Sequence, residues 1–499
     1  MAQESSMQQS LRSSFTTVWD TFFLPLDGNQ QRVLRWIFLA FLYLAGVFLW
    51  GKLFGWGRAP LDFSDWALIN IPRIDFVRDA LRMGVLPLHM ADTSSLHDIS
   101  DRFFTLPDVV TTPQMLLLLF VSVRRYVFFD IILNYSISFL GLLWFYRRYS
   151  LSLFAFTILF LLFEFNGYIF THYSVGHFTW AGYFLFPIFF ALIIRFLDGE
   201  EGWGWVTSLS FLLFYMVLAG SQHHYVWLLL FLGVMIVTCW QRAKWIALVI
   251  LFSGLLSAVR LLPPVLQLAD YQNKAIFTDV FGYPSLAHLI SGMVLIQLPM
   301  ESPLTYYPLN SYVENFWEFN FYLGIIGFVF VVYFGLFQWI KGTPPRWKEL
   351  ILPVFVLIAL SLGSTYWIVR LTRIPLFASE RAAMRMISVP VVWLILVGCI
   401  TFQEWWNNKK FEMSHQIAAL MTLGLMFIDL WSNLKAWRPS EIRQYFTPVP
   451  INVTGNLVAN HADPQYFLVL GIGLSITLIT GIFLITMAWR ETRLKRNTI

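Results

Sequence analysis

The sequence is poor in cysteine and in charge, and both shortages limit what the protein can be. Its only cysteines, Cys239 and Cys399, lie within or at the ends of apolar runs, so the sequence indicates neither a disulfide framework nor a thiolate metal site. Charged residues make up 13% of the chain, about half the share of a typical soluble protein, which excludes a soluble fold. The net charge of +5 comes from short clusters, and the lack of a long basic tract excludes nucleic-acid binding.

Several common enzyme motifs are missing as well. The chain contains no P-loop, no dinucleotide-binding glycine fingerprint, no H-E-x-x-H zinc motif and no G-x-S-x-G nucleophile motif. The first 30 residues are polar and lack the short apolar core of a cleaved signal peptide, so the first apolar run is expected to be retained. Any function must therefore be carried by other segments.

Hydrophobic residues dominate what is present. They make up 58% of the chain, the mean hydropathy is +0.63, and apolar runs of spanning length recur from one end to the other. This composition predicts an all-α integral membrane protein, a polytopic helical bundle that forms a single domain over residues 1–499. About twelve spans are expected, near residues 33–53, 127–146, 151–170, 180–196, 204–220, 225–240, 244–262, 319–340, 349–363, 386–402, 415–433 and 465–488.

Short basic linkers between the spans indicate how the bundle is oriented. With twelve crossings they all fall on one face, which the positive-inside rule assigns to the cytoplasm of a plasma membrane, together with both termini. Three longer segments then form extracytoplasmic loops: 51–112, 263–318 and 434–463. Several arginines fall on the outer side against this bias, which points to a local reason such as an anionic ligand.

The first extracytoplasmic loop concentrates charge beside the first span. Its segment "LDFSDWALINIPRIDFVRDALRMGVLPLHM", residues 61–90, carries several acids and arginines. Apolar residues three or four positions apart predict an amphipathic helix on the bilayer surface: Ile71, Ile74, Val77 and Leu81. Gly84 would end this helix. A solvated loop with a capped helix is the alternative explanation for the charges.

Strings in a fixed order along the chain resemble a known family. After the first-loop segment come "YSVGHFTWAGYFLFP" (173–187), "LAGSQHHYVW" (218–227), "LLSAVRLLPPVLQL" (255–268), "ENFWEFNFYLG" (314–324) and "LGSTYWIVRLTRIPLFASERAAMRMI" (362–387). Together with the turn Gly84–Leu88, these strings resemble GT-C-type membrane glycosyltransferases, in particular the bacterial YfhO-like branch. His89, directly after this turn, stands where the family has a tryptophan. The resemblance covers most of residues 33–402 and implies the use of a polyprenyl-phosphate-linked sugar.

The resemblance implies that an acid of the first loop is the catalytic base. Asp65 is the best-matched position. Asp62 is its alternative, because the double-acid pattern of the protein mannosyltransferase branch is absent. The chemistry suits a carboxylate, since an acceptor hydroxyl that attacks the anomeric carbon must lose a proton as the phosphate leaves.

Arginines near the outer ends of spans are candidates for binding the donor phosphate. The planar guanidinium group can bond two phosphate oxygens at once. Arg381 and Arg385 lie four residues apart at the mouth of the tenth predicted span, and Arg260 lies two residues before "LPP". Snorkelling of these side chains to the membrane interface is the alternative explanation.

Histidines and one further acid complete the candidate site. The resemblance implies that His177, in "VGHFT", and Glu318, in "EFNFYLG", contact the substrate. Four histidines also fall at the outer ends of neighbouring spans, where imidazoles can hold a divalent metal: His172, His177, His223 and His224. Ordinary histidines at the membrane interface are the alternative explanation. A divalent metal is the sole cofactor that the sequence suggests.

Three acids lie inside or at the edges of apolar runs: Asp130, Glu164 and Asp429. An unpaired carboxylate in the bilayer would cost several kcal/mol. Each is therefore expected to have a partner or to touch a cavity.

These observations predict an inverting-type glycosyltransferase of the cell envelope, a hexosyl- or pentosyltransferase whose active site opens to the extracytoplasmic side. Its expected partners are the bilayer, a lipid-linked sugar donor and an acceptor that is a glycolipid, a polysaccharide or a protein. A transporter or flippase of lipid-linked intermediates would explain the many spans, but it needs no acidic first loop and commonly shows inverted repeats, which this sequence lacks. A non-catalytic subunit of an envelope-assembly complex is the third alternative.

Overall fold

A computed structural model describes residues 17–25, 31–267, 282–296, 316–342, 346–363, 365–372, 380, 382–409, 411–449 and 457–497. Over these residues the protein is all-helical and contains no β-strand. The α-helices of nine or more residues are numbered in chain order: α1 Arg32–Leu53, α2 Ile71–Met83, α3 Val123–Arg148, α4 Leu153–Glu164, α5 Gly167–Val175, α6 Phe186–Leu197, α7 Trp203–Leu218, α8 Gln222–Thr238, α9 Ala243–Leu256, α10 Leu286–Val294, α11 Ile351–Ser361, α12 Ser388–Asn407, α13 Met413–Ala436 and α14 Pro464–Asn497.

Eight helical segments in this part of the chain are long and apolar enough to cross a membrane: Arg32–Leu53, Val123–Arg148, Leu153–Val175, Phe178–Leu197, Trp317–Lys341, Ala383–Asn407, Met413–Ala436 and Pro464–Lys495. Helices α8 and α9 pass the same test together, but they are bent by 111° and add a ninth span only if the bent pair is counted as one. The chain is thus a multi-pass helical membrane protein.

The expected count of about twelve spans is not reached in the described part of the chain. Four of the predicted spans correspond to α7, α8, α9 and α11. Helix α7 has 16 residues and α11 has 11. At 1.5 Å per residue α7 rises about 24 Å, less than the hydrocarbon thickness of about 30 Å. Hydropathy detects the apolar character of these segments but not the positions at which their helices end. The cytoplasmic location of both termini stays a prediction.

Two of the spans form the centre of the bundle. Leu153–Val175 and Ala383–Asn407 are buried inside the protein over their whole apolar length. By contrast, α1, α13 and α14 expose most of their apolar residues, as expected for helices that face lipid. Helix α12 packs against α4, α6, α11 and the π-helical segment Val331–Gln338. The central spans therefore present their ends to the loops on one side, where the candidate site lies.

Two glycines lie at a close approach between two spans. A Cβ atom added at Gly335 would lie 2.3 Å from the carbonyl oxygen of Leu394 in α12. One added at Gly398 would lie 3.1 Å from the backbone nitrogen of Gly335. Small residues of this kind let the backbones of membrane helices come close enough for extensive van der Waals contact.

The acids predicted to need partners inside the membrane have them. Each carboxylate accepts hydrogen bonds from neighbouring side chains: Asp130 from Gln114 and Asn134, both at 2.9 Å, Glu164 from Ser138, and Asp429 from Tyr322. The expectation of a partner is therefore confirmed for all three, and the Glu164–Ser138 contact joins α4 to α3.

The first loop contains a helix where the sequence predicts one, from Ile71 to a left-handed Gly84. Arg73 and Asp75 of this helix are buried together with its apolar residues, and its location on the bilayer surface stays a prediction. Arg73 donates hydrogen bonds to the Ser95 carbonyl and to Asp108, both at 2.9 Å. The remainder of the loop thus folds over α2 and covers it with protein.

Adding a methyl group at Gly335 should separate the span Trp317–Lys341 from α12. We expect Gly335→Ala to destabilise the protein by about 1–3 kcal/mol, because the backbone oxygen of Leu394 cannot move cheaply. Gly424→Ala in α13 is the matched control, since no atom lies within 4 Å of its added Cβ. The thermal unfolding midpoint in detergent measures both variants, and equal midpoints would contradict the close packing.

Candidate functional site

The first loop is attached to the C-terminal end of α5 by a close backbone contact. Gly176 ends α5 with φ of +106°, and a Cβ there would lie 2.3 Å from the backbone nitrogen of Trp66. The indole of Trp66 donates a hydrogen bond to the Tyr173 carbonyl at 3.0 Å, and the amide of Asn70 donates to the carbonyl of Gly176. These contacts hold Asp65, which directly precedes the π-helical turn Trp66–Asn70, against the end of α5.

Asp65 begins a line of polar side chains that runs from the loop into the bundle. Its carboxylate Oδ2 lies 3.2 Å from Nε2 of His177, and about a third of its side chain is exposed. The turn at Gly176 folds His177 back onto His172, so that their Nδ1 atoms lie 2.6 Å apart. The fully buried His172 in turn places its Nε2 3.9 Å from Oε2 of Glu318.

The contacts restrict where the protons of the two imidazoles lie. A carboxylate only accepts hydrogen bonds, so His177 presents its Nε2–H to Asp65. Neutral His177 then accepts at Nδ1 from the Nδ1–H of His172.

Glu318 and Arg385 form a buried bidentate pair at the inner end of this line. Arg385 Nε donates to Glu318 Oε2 at 2.6 Å, and Arg385 Nη2 donates to Oε1. Both side chains are more than nine-tenths buried, so each charge depends on the other for its neutralisation. Arg385 lies in the short 3₁₀ turn Ala383–Ile387 that leads into α12.

Trp180 is the common contact of the histidines and the arginine. Its ring centroid lies close to all four imidazoles, at 4.6 Å from His172, 4.8 Å from His177, 5.7 Å from His223 and 5.5 Å from His224. The guanidinium carbon of Arg385 lies 4.8 Å from the same ring, within cation–π range. One aromatic side chain therefore fixes the relative positions of the whole group.

A second buried acid, Glu380, pairs with His223, one of the histidines around Trp180. His223 Nδ1 lies 2.8 Å from its Oε2, and the indole of Trp227 donates to the same oxygen at 2.9 Å. Burial raises the pKa of this carboxyl, but the charge and hydrogen bond of His223, with the charge of Arg385, outweigh burial and lower the pKa from 4.5 to about 2. Glu380 is therefore an ionised, structural partner and a poor proton acceptor at neutral pH.

Asp62, the alternative base, is occupied elsewhere. Arg443 donates to both oxygens of its carboxylate, through Nε at 2.8 Å and through Nη2. The Arg443 hydrogen bond lowers the pKa of Asp62 below its ordinary value, in spite of partial burial. The backbone N–H of Val449 also donates to the Asp62 carbonyl at 2.8 Å. Asp62 thus joins the first loop to the segment after α13.

The remaining arginine candidates do not enter this group as the sequence suggested. Arg260 is buried and donates to three carbonyls of the first loop, those of Phe104, Leu106 and Val109, at 2.8–3.3 Å. Its guanidinium group therefore supports the loop backbone instead of standing open to a phosphate. Arg381 lies outside the described residues.

Three side chains of the site offer ligand atoms within 4.8 Å of one another: His172, His177 and Glu318. Zn–N bonds of about 2.0–2.1 Å in tetrahedral geometry separate two bound nitrogens by about 3.3 Å. The Nδ1 atoms of His172 and His177 are 2.6 Å apart, and Glu318 is held by Arg385. This geometry is that of a hydrogen-bonded pair and not of a preformed metal site, so a metal here stays a prediction.

Sequence reasoning missed Trp180 and Glu380. Trp180 follows His177 by three residues, and Glu380 directly precedes Arg381. An acid in a segment of arginines was a usable signal for an ion pair. Its partner His223, however, lies in α8, far away in the sequence, and only the packing of α8 against the end of the central span reveals it.

The chain matches no family model, no curated protein and no solved structure.

Replacing Gly176 should displace Asp65 from His177. We expect Gly176→Ala to cost about 1–2 kcal/mol for its left-handed backbone and about 1–3 kcal/mol more for the clash with Trp66. Gly199→Ala is the matched control, because Gly199 also has a positive φ, +97°, but no atom lies within 4 Å of an added Cβ. Thermal unfolding measures both, and a loss no larger at Gly176 than at Gly199 would refute the close contact.

The Glu380–His223 pair should give stability a distinct pH dependence. Because the folded-state pKa of Glu380 lies below 4.5, its contribution is complete above about pH 4.5 and is lost as the pH falls towards 2. We expect His223→Ala to lower the unfolding midpoint at pH 7, and this deficit to shrink at about pH 3 as Glu380 takes up a proton. His415→Ala, at an exposed histidine, is the control, and a deficit independent of pH would contradict the pairing.

Proposed function

We propose that the protein is a membrane glycosyltransferase that moves a sugar from a polyprenyl-phosphate-linked donor to an acceptor at the loop side of the bundle. The observation that carries this proposal is the row of side chains Asp65–His177–His172–Glu318–Arg385, in which polar atoms of successive members lie within 4 Å of each other. It joins a partly exposed carboxylate to a buried cation at the ends of apolar spans. A proton acceptor and a phosphate-binding group are the two components that such a transfer needs.

The geometry favours Asp65 over Asp62 as the base. Asp62 is neutralised by Arg443, and its lowered pKa makes it a weaker proton acceptor. Asp65 instead faces an imidazole and retains partial exposure, so a substrate hydroxyl can reach it. His177 then acts as a positioning residue that holds the carboxylate and stabilises the site while Asp65 carries the proton.

In the proposed step, the acceptor hydroxyl oxygen attacks the anomeric carbon of the sugar and forms the new glycosidic bond. The bond from that carbon to the phosphate oxygen breaks, and its electron pair leaves with the polyprenyl phosphate. The hydroxyl proton passes to Asp65. Because the donor carries its own leaving group, the step requires no oxidant, reductant or nucleotide.

Arg385 is the described candidate for contact with the phosphate. Its bonds to Glu318 use Nε and Nη2, so Nη1 takes no part in the pair and can donate to one phosphate oxygen. Glu318 already neutralises much of its charge, and a second cation would be required to balance the leaving phosphate. Arg381, four residues earlier in the chain, is proposed for that role on its sequence position alone.

Asp65→Asn tests the proposal most simply. Purified protein in liposomes would be given a panel of polyprenyl-phosphate hexoses and pentoses with envelope extract as the acceptor source, and the release of polyprenyl phosphate would be measured by mass spectrometry. We expect the rate to fall about 100- to 10,000-fold, the usual contribution of a general base, with little change in the unfolding midpoint.

Asp62→Asn is the matched control from the same loop. It breaks the pair with Arg443 and should weaken the contact between two loops, but transfer should remain within about tenfold of the wild-type rate. If Asp62→Asn abolishes transfer and Asp65→Asn does not, the two assignments are reversed. If wild-type protein releases polyprenyl phosphate from none of the donors, the transferase itself is rejected.

A further inference from the structure

A second cluster of metal-ligating side chains lies in the loops, apart from the line described above. His89, Asp101 and His461 each offer a ligand atom within 4.8 Å of the other two. The imidazole rings of His89 and His461 have centroids 4.0 Å apart, and Nε2 of His461 lies 2.8 Å from Oδ2 of Asp101. His89 and Asp101 belong to the first loop, whereas His461 belongs to the segment before α14.

In each imidazole one nitrogen faces an oxygen acceptor outside the cluster, and the second nitrogen is Nδ1 in His89 and, in His461, the Nε2 that faces Asp101. Nε2 of His89 lies 3.4 Å from Asp463, and its Nδ1 is fully buried with no hydrogen-bond partner among the described residues. Nδ1 of His461 lies 3.3 Å from the carbonyl of Ala462. Metal-bound histidines show this arrangement, in which an outer carboxylate or carbonyl fixes the ring and leaves the other nitrogen as the ligand.

The backbone around the cluster is held together independently of any ion. The side-chain oxygen of Asn460 accepts from the N–H of His89 at 3.0 Å, and Ala459 N–H donates to the His89 carbonyl at 2.9 Å. Met90 N–H donates to the carbonyl of Asp101 at 2.9 Å. The three side chains are thus brought together on a hydrogen-bonded platform made of two distant segments.

The charges near the cluster favour a cation. Asp463 is neutralised by Arg102, whose Nε lies 2.6 Å from its carboxylate, so Asp101 supplies a remaining negative charge. His461 and Asp101 are both more than a third exposed, and they can move by the few tenths of an ångström that coordination requires. The pair His172–His177 is far more enclosed and lacks this freedom.

We propose that His89, Asp101 and His461 bind a zinc ion that ties the first loop to the segment before α14. Two imidazoles and a carboxylate suit Zn²⁺ better than the oxygen-preferring Mg²⁺ or Ca²⁺. Water would complete a four-coordinate site. The ion would hold the loop that carries Asp65 at a second point, and the site does not depend on the proposed transfer activity.

Zinc content of the full-length protein tests this proposal directly. The detergent-purified protein would be stripped with EDTA, dialysed against zinc chloride and then against buffer, and its zinc measured by mass spectrometry. We expect one zinc per chain in the wild type, and at least a tenfold loss in His461→Ala and in Asp101→Asn. Zinc should also raise the unfolding midpoint of the wild type but not that of His461→Ala.

Two further variants identify where any bound zinc lies. His415→Ala removes an exposed histidine at the start of α13, and His172→Ala removes a ligand of the other group, so both should retain one zinc per chain. His461 and Asp101 are substituted because both side chains are more than a third exposed, so their replacement leaves the packed interior intact. A wild type that binds no zinc, zinc retained in His461→Ala, or zinc lost in His172→Ala would each overturn the proposal.

Discussion

The backbone contact between Gly176 and Trp66 positions the groups on which the proposed chemistry depends. It brings a loop that follows the first span against the end of a central helix, with no room for a Cβ atom. The same turn folds His177 onto His172, so one glycine places Asp65 and both imidazoles together. A left-handed backbone at this point therefore serves both the fold of the loop and the arrangement of the site.

Charged groups deep in an apolar bundle are stable only with partners, and here the partners come from distant helices. Glu318 and Arg385 neutralise each other at the ends of two spans, and His223 of α8 pairs with Glu380. Removing one member would leave a buried charge, which costs far more than an exposed pair contributes. The pairs that support the proposed site thus also bind the central helices to one another at this side of the membrane.

Local sequence patterns made part of the fold predictable. The spacing of Ile71, Ile74 and Val77 indicated α2, and the rule that buried acids need partners held for Asp130. The expected twelve spans are not confirmed over the described residues, because hydropathy does not record where a helix such as α7 stops.

Contacts between segments far apart in the sequence could not be derived from spacing. The Asp62–Arg443 pair and the place of Trp180 among four histidines depend on how helices and loops pack, which no single stretch encodes. The measurement that tests the central claim most directly is a cryo-electron microscopy structure with polyprenyl phosphate bound. The account predicts the phosphate beside Arg385, with Asp65 facing the position of the sugar. A phosphate bound in another part of the bundle, away from Asp65 and Trp180, would contradict it.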